Sequence, residues 1–319
     1  MNTRPVDVDE RVIVDAVRAG WGFEAVSVEY AALGFGSHHW VAFDSGGSKR
    51  FVTVDDLSTG RGGSSNEAVF ARLSAAFETA RALREIGLEF VVAPLPDVDG
   101  CVLRRLAESY SVAVFPFLEG DTLRYGDYES DGQRREVLDL VGRLHQATPS
   151  VVDIAAREDF ALSCRSELDV ALRELGRPWT GGPFAERARQ LLVRIEADLM
   201  SALEVFDGLV DEVRNDATPW VVTHGEPHAA NVIWTSDGPR LVDWDTARIA
   251  PAGRDLWMLE PSGKAAAREQ DTAIVMYRLG WDLAEIAIYV SGFRLPHETT
   301  ADTLESWKNL EHYAQLKAH

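Results

Sequence analysis

Two short segments in the second half of the chain combine carboxylates with a carboxamide. Residues 224–231 read HGEPHAAN, and residues 242–245 read VDWD. The carboxylate of Glu226 stands five residues before the amide of Asn231, and Asp243 follows the next apolar stretch. Phosphoryl transfer needs such groups, because a carboxylate orients the attacking hydroxyl while oxygen ligands hold metal ions against the phosphates. Mg²⁺ accepts one Asp and one Asn as protein ligands and completes its shell with water and phosphate oxygens.

A glycine-containing segment near the N-terminus fits the same chemistry. Residues 33–40 read LGFGSHHW. A dinucleotide-binding fingerprint needs a third glycine and a following helix, whereas His39 stands at the third-glycine position and a strand-like pattern follows it. A glycine loop between two strands is the arrangement in which kinases cover phosphates with backbone N–H groups. The chain contains no GxxxxGK[ST] segment, which excludes a P-loop.

Together these segments resemble the aminoglycoside phosphotransferase family, which shares the bilobal protein-kinase fold. That family carries HGDxxxxN, then an Asp-aromatic-Asp segment, and PAGRDL at residues 251–256 resembles its following PxxRDL segment. The resemblance implies an α+β, protein-kinase-like fold with a β-rich N-terminal lobe that contains one main helix and a larger α-helical C-terminal lobe. It implies a nucleotide-binding lobe at residues 1–117 and a lobe with the catalytic loop and acceptor site at residues 118–319.

The resemblance also implies a role for individual residues. Glu226 takes the position of the catalytic base, Asn231 and Asp243 bind Mg²⁺, and ATP or GTP is the co-substrate. Asp255 is more consistent with a structural anchor than with a catalyst. The implied nucleotide-binding residues are Gly34, Gly36 and Ser37 in the glycine loop, Thr53 on the third strand, and Phe117 and Leu118 in the hinge.

The chain departs from the family pattern at two positions. Glu226 replaces the usual Asp, and a displacement on the order of 1 Å can lower a rate about a hundredfold unless the loop compensates. The third strand usually holds a Lys that contacts the α- and β-phosphates and pairs with a helix Glu. Our alignment places Thr53 there, so that Glu78, the best candidate on the helix, is expected to lack its cation unless Arg72 or Arg81 replaces it.

Composition limits the classes of partner. Lys and Arg number 32 against 51 Asp and Glu in 319 residues, which gives a net charge of −19. Such a surface repels nucleic acid and attracts a cationic small molecule, although acidity also serves solubility. Two widely spaced cysteines fit a reducing cytoplasm. The absence of a signal-peptide pattern at residues 1–10 and of an apolar run of about 20 residues predicts a cytoplasmic protein without a membrane partner, whose oligomeric state the sequence leaves unknown.

Hydrophobic periodicity predicts a strand-rich region followed by a helical one. The predicted strands lie at 26–31, 40–43, 51–54, 101–105, 112–116, 220–223, 232–235 and 241–242. The predicted helices lie at 8–19, 66–86, 133–146, 158–175 and 184–213, and the chain from residue 263 onward is expected to be mostly helical.

One alternative is excluded by the sequence. A zinc deaminase would share the His-x-Glu pattern at 224–226 but needs a downstream PCxxC segment, which the chain does not contain. The others remain open. A catalytically weak, kinase-like nucleotide-binding protein would explain the missing Lys. Among acceptors, an aminoglycoside-like or spectinomycin-like antibiotic is the leading expectation, and choline, homoserine, sugars and nucleoside or peptide antibiotics are the others. Asp282 and Glu285 are candidates to line the acceptor site.

Overall fold

The structure is a computed structural model that describes residues 1, 3–5, 7–34, 36–59, 65–126, 128–260 and 271–316. Contacts divide these residues into two compact units. The first contains the described parts of Met1–Gly60, Ser65–Glu158 and Pro219–Ala266, and the second those of Asp159–Thr218 and Ala267–His319. The predicted lobe boundary between residues 117 and 118 falls inside the first unit and stays a prediction.

The first unit begins with a helix followed by an antiparallel five-stranded sheet, in which the strand order is β1-β2-β3-β5-β4. A second helix, α2, is inserted after β3, and the side chain of Ser65 caps it by accepting from the N–H of Ala68. In chain order the elements are α1 (Glu10–Trp21), β1 (Ala25–Ala31), β2 (His38–Asp44), β3 (Lys49–Asp56), α2 (Asn66–Glu85), β4 (Arg104–Arg105) and β5 (Tyr110–Pro116).

The two faces of the sheet pack against different partners because side chains alternate along a strand. On β3, Val52 and Val54 join a core that also contains Ile13 and Val17 of α1. Phe51 instead packs on the cluster formed with α2. The alternation therefore places Thr53 and Asp55 on the face that is directed away from α1.

The chain then continues through both units. It forms β6 (Asp121–Thr122), α3 (Asp131–Gln146), α4 (Arg165–Arg173), α5 (Ala185–Asn215), β7 (Val221–Thr223), β8 (Val232–Thr235), β9 (Gly238–Leu241), β10 (Arg248–Ala250), α6 (Gly253–Leu256), α7 (Thr272–Arg294) and α8 (Ala301–Tyr313). Strands β6, β8 and β9 form one small sheet, and β7 pairs with β10. Leu241, at the end of β9, donates its N–H to the carbonyl of Phe90 and accepts from the N–H of Val92, which ties the β8–β9 hairpin to the chain after α2.

The second unit is built from the helices α4, α5, α7 and α8, and Leu192 and Leu199 of α5 are fully buried in it. The prediction of a helix from residue 158 is wrong at its start, since α4 begins only at Arg165. Phe160 and Cys164 adopt positive φ values of 60° and 56°, which interrupt a right-handed helix. Among the described residues, no helix is both long and apolar enough to span a bilayer.

Candidate active site

The segment 224–231 is held from behind by the buried ring of His224. Its Nε2 lies 2.8 Å from the carbonyl oxygen of Val242, and its Nδ1 lies 3.2 Å from the backbone nitrogen of Glu226. The Glu226 N–H needs an acceptor and the Val242 carbonyl needs a donor, so the ring carries its proton on Nε2 and is neutral. Burial lowers the pKa of His224 to about 4, in agreement with a neutral ring. His224 thus joins the backbone of Glu226 to the residue that precedes Asp243.

The side chain of Asn231 is oriented by the same loop. Its Nδ2 donates to the backbone carbonyl of Glu226 at 3.0 Å, and the backbone carbonyl of Asn231 accepts from the N–H of Val242 at 3.0 Å. The amide nitrogen is therefore directed into the loop, and the amide oxygen is the group that remains to bind a cation. The structure brings Glu226, Asn231 and Asp243 together through hydrogen bonds that run within one loop and one strand.

Asp243 has an uncommon backbone conformation. Its φ is 68°, in the left-handed region that Asp tolerates better than most residues. The next residue, Trp244, is fully buried and donates its indole N–H to the carbonyl of Leu241 at 2.9 Å, which fixes the turn. Non-glycine residues in such conformations concentrate at functional sites, where surrounding contacts maintain the strain.

Four carboxylates share the electrostatic environment of this turn. The Asp243 side chain reaches solvent, yet protein atoms surround it closely, and this desolvation raises its pKa well above the usual value. The charges of Asp245, Glu226 and Asp55 raise that pKa further. A group of like charges that repel one another is stabilised by a bound cation, and carboxylate and amide oxygens are the ligands that Mg²⁺ takes.

The catalytic loop is anchored by Asp255, which is fully buried. Its two oxygens accept from the N–H of Gly225 at 2.6 Å and of His224 at 3.2 Å, and the Nε2 of His145 lies 2.8 Å away. Gly225 has a φ of 102°, and a Cβ at this position would collide with the guanidinium group of Arg254. These contacts agree with a structural role for Asp255.

The glycine loop contacts the third strand. Gly34 and Gly36 have φ values of 62° and 109°, which favour glycine, and Phe35 between them lies outside the described residues. The hydroxyl of Ser37 donates to Oδ1 of Asp55 at 2.6 Å. In this structure Asp55 therefore accepts the hydrogen bond that we expect Ser37 to donate to a phosphate.

No cation of the described residues contacts Thr53, at the position of the family's strand-three Lys. The Oγ1 of Thr53 lies 3.2 Å from Nδ1 of His39. Burial, followed by the charges of the N-terminus and His38, lowers the pKa of His39 to about 4, so this ring is neutral. Arg81, one of the two residues predicted as a possible replacement for the missing Lys, contacts Glu78 on the same helix at 2.6 Å. Neighbours three residues apart on a helix meet in this way.

Lys49, the lysine nearest to Thr53 on β3, contacts the predicted hinge with its side chain. Nζ of Lys49 lies 4.7 Å from the centroid of the Phe117 ring and 4.0 Å from a carboxylate oxygen of Glu119. Lys49 is thus held at the far end of the strand. Phe117 and Leu118 are half-buried, and their contact with a nucleotide base stays a prediction.

Residues 44–289 match the sequence profile of the phosphotransferase enzyme family, APH. The chain belongs to this family. Protein StrN of Streptomyces griseus is 32% identical over 252 residues, which are 75% of this chain and 76% of StrN. Stress response kinase A of Escherichia coli is 32% identical over 184 residues, which are 57% of this chain and about half, 51%, of that kinase.

The fold is shared with a solved antibiotic kinase. A spectinomycin phosphotransferase, determined with ADP and spectinomycin, superposes with a TM-score of 0.73 over 96% of this chain and 94% of its own. The two sequences are only 13% identical, so this likeness shows the protein-kinase-like fold alone. The predicted family and fold class are confirmed, and the chain is a phosphotransferase of the APH family.

The sequence analysis assigned no role to two carboxylates near the candidate site of this APH family member, those of Asp55 and Asp245. Asp245 stands in the VDWD segment, and its charge raises the pKa of both Asp243 and Asp55. Asp55 is only 7% exposed. The signal for Asp55 was available, since it lies two residues beyond Thr53 and alternation puts both on one face.

Asp55 is expected to make the folded state progressively less stable as the pH rises from about 4 to about 7. Burial raises its pKa to about 7, from about 3.8 in an unfolded chain, so the folded state binds a proton more tightly. Its contribution to stability is greatest below pH 3.8 and is lost as the pH rises through 7. We expect Asp55→Asn to stabilise the metal-free protein progressively between pH 4 and pH 8, by up to about 4 kcal/mol. The free energy of unfolding of the wild type and of Asp55→Asn is measured in urea with EDTA at pH 4 and at pH 8. An equal effect of the substitution at the two pH values would contradict the argument from burial.

The donor groups suit a hard divalent cation, although the protein alone does not complete a site. In the described ranges, no three His, Cys, Asp or Glu side chains converge closely enough to hold a metal ion. Mg²⁺ commonly takes one or two carboxylates and fills its remaining positions with water and substrate phosphates. Asn231 and Asp243 fit that pattern, and they would hold the ion in company with a nucleotide.

Proposed function

We propose that this protein transfers the γ-phosphate of ATP or GTP to a hydroxyl group of a small polar molecule, in a reaction that requires Mg²⁺. The observation that carries the proposal is one set of hydrogen bonds that links the segments bearing Glu226, Asn231 and Asp243. The Asn231 side-chain amide donates to the backbone carbonyl of Glu226, and the N–H of Val242, next to Asp243, donates to the backbone carbonyl of Asn231. His224 closes the network from behind.

Each of these residues then has a distinct task. The Asn231 amide oxygen and the Asp243 carboxylate would hold Mg²⁺, which would supply neutralisation of the charge that develops on the phosphates. Glu226 accepts a hydrogen bond from the acceptor hydroxyl and orients it for attack. Phosphoryl transfer relies mainly on positioning and electrostatics, so Glu226 needs only to orient the hydroxyl.

The acceptor that we propose is an antibiotic of the aminoglycoside or spectinomycin type. The net charge of −19 favours a cationic acceptor by long-range attraction. The similar spectinomycin phosphotransferase was solved with its antibiotic bound. Choline, sugars, homoserine and other antibiotics form the comparison set.

The direct test combines nucleotide binding with an acceptor screen. Thermal shift with ATP or GTP, each with and without Mg²⁺, should show stabilisation that depends on the metal ion. Release of ADP or GDP is then measured against a panel of aminoglycosides, spectinomycin, choline and sugars, followed by mass spectrometry of the product. A gain of about 80 Da on one acceptor is the expected result. Metal-independent nucleotide binding without transfer to any acceptor would contradict the proposal.

Glu226→Gln is expected to reduce turnover by about a hundredfold to ten-thousandfold. The change removes the charge that orients the hydroxyl but keeps the side-chain length and the backbone contacts of the loop. Nucleotide affinity, measured by titration calorimetry with Mg²⁺ present, should change by less than about twofold if the carboxylate acts on the acceptor. Glu226→Asp is the companion variant, because its turnover shows whether the loop is adapted to the longer side chain. An equal loss of nucleotide affinity and turnover in Glu226→Gln would place this residue at the nucleotide instead.

A second candidate function is a nucleotide-binding protein with weak or no transferase activity. The observation that favours it is Thr53, which stands with a neutral His39 where the family places a Lys. Such a protein would bind ATP or GTP without transferring phosphate to any acceptor. The thermal shift and the acceptor screen together distinguish the two candidates.

A further inference from the structure

Two buried oxygen atoms on neighbouring strands have no hydrogen-bond partner among the described residues. One is Oδ2 of Asp55 on β3, and the other is Oγ of Ser111 on β5. Asp55 is 7% exposed and Ser111 is fully buried. A buried polar atom without a partner costs free energy, so each such atom calls for an explanation, such as an unrecorded ion.

These two atoms belong to one place in the sheet. Asp55 and Ser111 are directly opposite each other in the register of β3 and β5. Side chains at opposite positions have Cβ atoms about 5 Å apart on the same face. The other oxygen of Asp55 accepts from Ser37 of the glycine loop. Asp55 is therefore hydrogen-bonded to Ser37 and lies opposite Ser111 on the same face of the sheet.

The charge of this region favours a cation. The negative charges of Asp55, Asp243 and Asp245 influence one another. No described Lys or Arg contacts Asp55 or Thr53, and Nζ of Lys49 on the same strand instead contacts Phe117 and Glu119. A triphosphate brought to such a carboxylate-rich surface would be repelled unless cations accompany it.

We propose that Asp55 and Ser111, with Ser37 beside them, bind a second divalent cation beneath the glycine loop, in the place of the missing lysine ammonium group. Carboxylate and hydroxyl oxygens are hard donors and suit Mg²⁺ or Mn²⁺. This ion is separate from the one assigned to Asn231 and Asp243. Its contribution to nucleotide binding rests on the proposed function, whereas its binding to the protein alone does not.

The first experiment counts metal ions without nucleotide. The full chain is titrated with Mn²⁺ at pH 7.5, and free Mn²⁺ is followed by its electron paramagnetic resonance signal. We expect Asp55→Asn to remove one equivalent of bound Mn²⁺, or to weaken it at least about tenfold, because the charged ligand is lost. Ser111→Ala should weaken the same equivalent less. The matched control is Asp56→Asn, which changes the next carboxylate on β3 and should leave the count unchanged.

The second experiment separates this ion from the catalytic one. In a parallel Mn²⁺ titration with a non-hydrolysable nucleotide bound, Asp243→Asn should remove the other equivalent and leave the Asp55-dependent one in place. With nucleotide present, turnover of the wild-type protein should rise further when free Mg²⁺ exceeds that needed to form Mg-ATP or Mg-GTP, and Asp55→Asn should lose this additional rise. Circular dichroism of each variant verifies folding.

The outcomes distinguish the two proposals. Unchanged Mn²⁺ binding in a folded Asp55→Asn variant overturns the second-cation site even if the enzyme is active. Loss of an Mn²⁺ equivalent in Asp55→Asn, together with no phosphoryl transfer by the wild-type protein, sustains the cation site and overturns the proposed function.

Discussion

Asp243→Asn should lower phosphoryl transfer by at least about a hundredfold to a thousandfold while the protein remains folded. The substitution removes the carboxylate that we assign to the metal ion, and loss of one preorganised electrostatic group at a reaction centre has an effect of this size. Asn tolerates the left-handed conformation that Asp243 adopts at φ 68°. The change also removes a charge that Asp245, Glu226 and Asp55 repel, so the metal-free protein should be at least as stable as the wild type.

The measurement is initial velocity across a range of Mg²⁺ concentrations, together with a thermal melt in EDTA. The matched control is Asp237→Asn, which changes an exposed carboxylate in the turn between β8 and β9. It should retain wild-type activity. Full activity of Asp243→Asn at ordinary Mg²⁺ concentrations would refute the assignment of this residue as a metal ligand.

Asp255→Asn should destabilise the first unit by about 3–5 kcal/mol, the range measured when one member of a buried charged network is removed. The Asp255 carboxylate accepts the N–H groups of Gly225 and His224 on its two oxygens. An amide offers only one oxygen, so at least one of these buried donors would face an NH₂ group. Because both donors belong to the catalytic loop, turnover should also fall.

The pH dependence provides a further test of this anchor. Burial alone would raise the pKa of Asp255, but the hydrogen bond and charge of His145, and then the Gly225 N–H, outweigh it and hold the pKa below its usual value. The carboxylate therefore stabilises the fold above its unfolded pKa, and this contribution is lost as the pH falls through the folded value. Denaturant unfolding between pH 3 and pH 7 should show the acid-dependent loss in the wild type and less of it in Asp255→Asn.

The control for this variant is Asp139→Asn, which changes an exposed carboxylate on α3, the helix that also carries His145. Its stability should stay within about 0.5 kcal/mol of the wild type. If Asp255→Asn were equally harmless, the hydrogen bonds to Gly225 and His224 would not be what positions the catalytic loop.

The sequence was informative where chemistry depends on local spacing. Glu226 and Asn231 lie on one loop, five residues apart, so their proximity requires only that the loop be short and turned. The glycine loop was identifiable because Gly34 and Gly36 stand between two strand patterns, and both adopt positive φ values. The helix prediction failed at residues 158–164, where residues with positive φ and a backbone hydrogen bond from Glu158 to Ile249 replace helical turns. Apolar periodicity carries no information about such contacts.

The sequence by itself determined the family, the order of strands and helices, and the residue types that meet at the candidate active site, because each depends on local pattern or on a motif within a few residues. Only the tertiary structure decided which residues surround Thr53, which stands at the position of the family's strand-three Lys. The pairing of β3 with β2 and β5 brings His39 to Thr53 and Ser111 to Asp55, and packing buries the Asp55 carboxylate among other acids. Burial and the charges of neighbouring groups determine the pKa of such a carboxylate and its affinity for a cation. Both effects come from residues that are distant in sequence, so local patterns do not predict them.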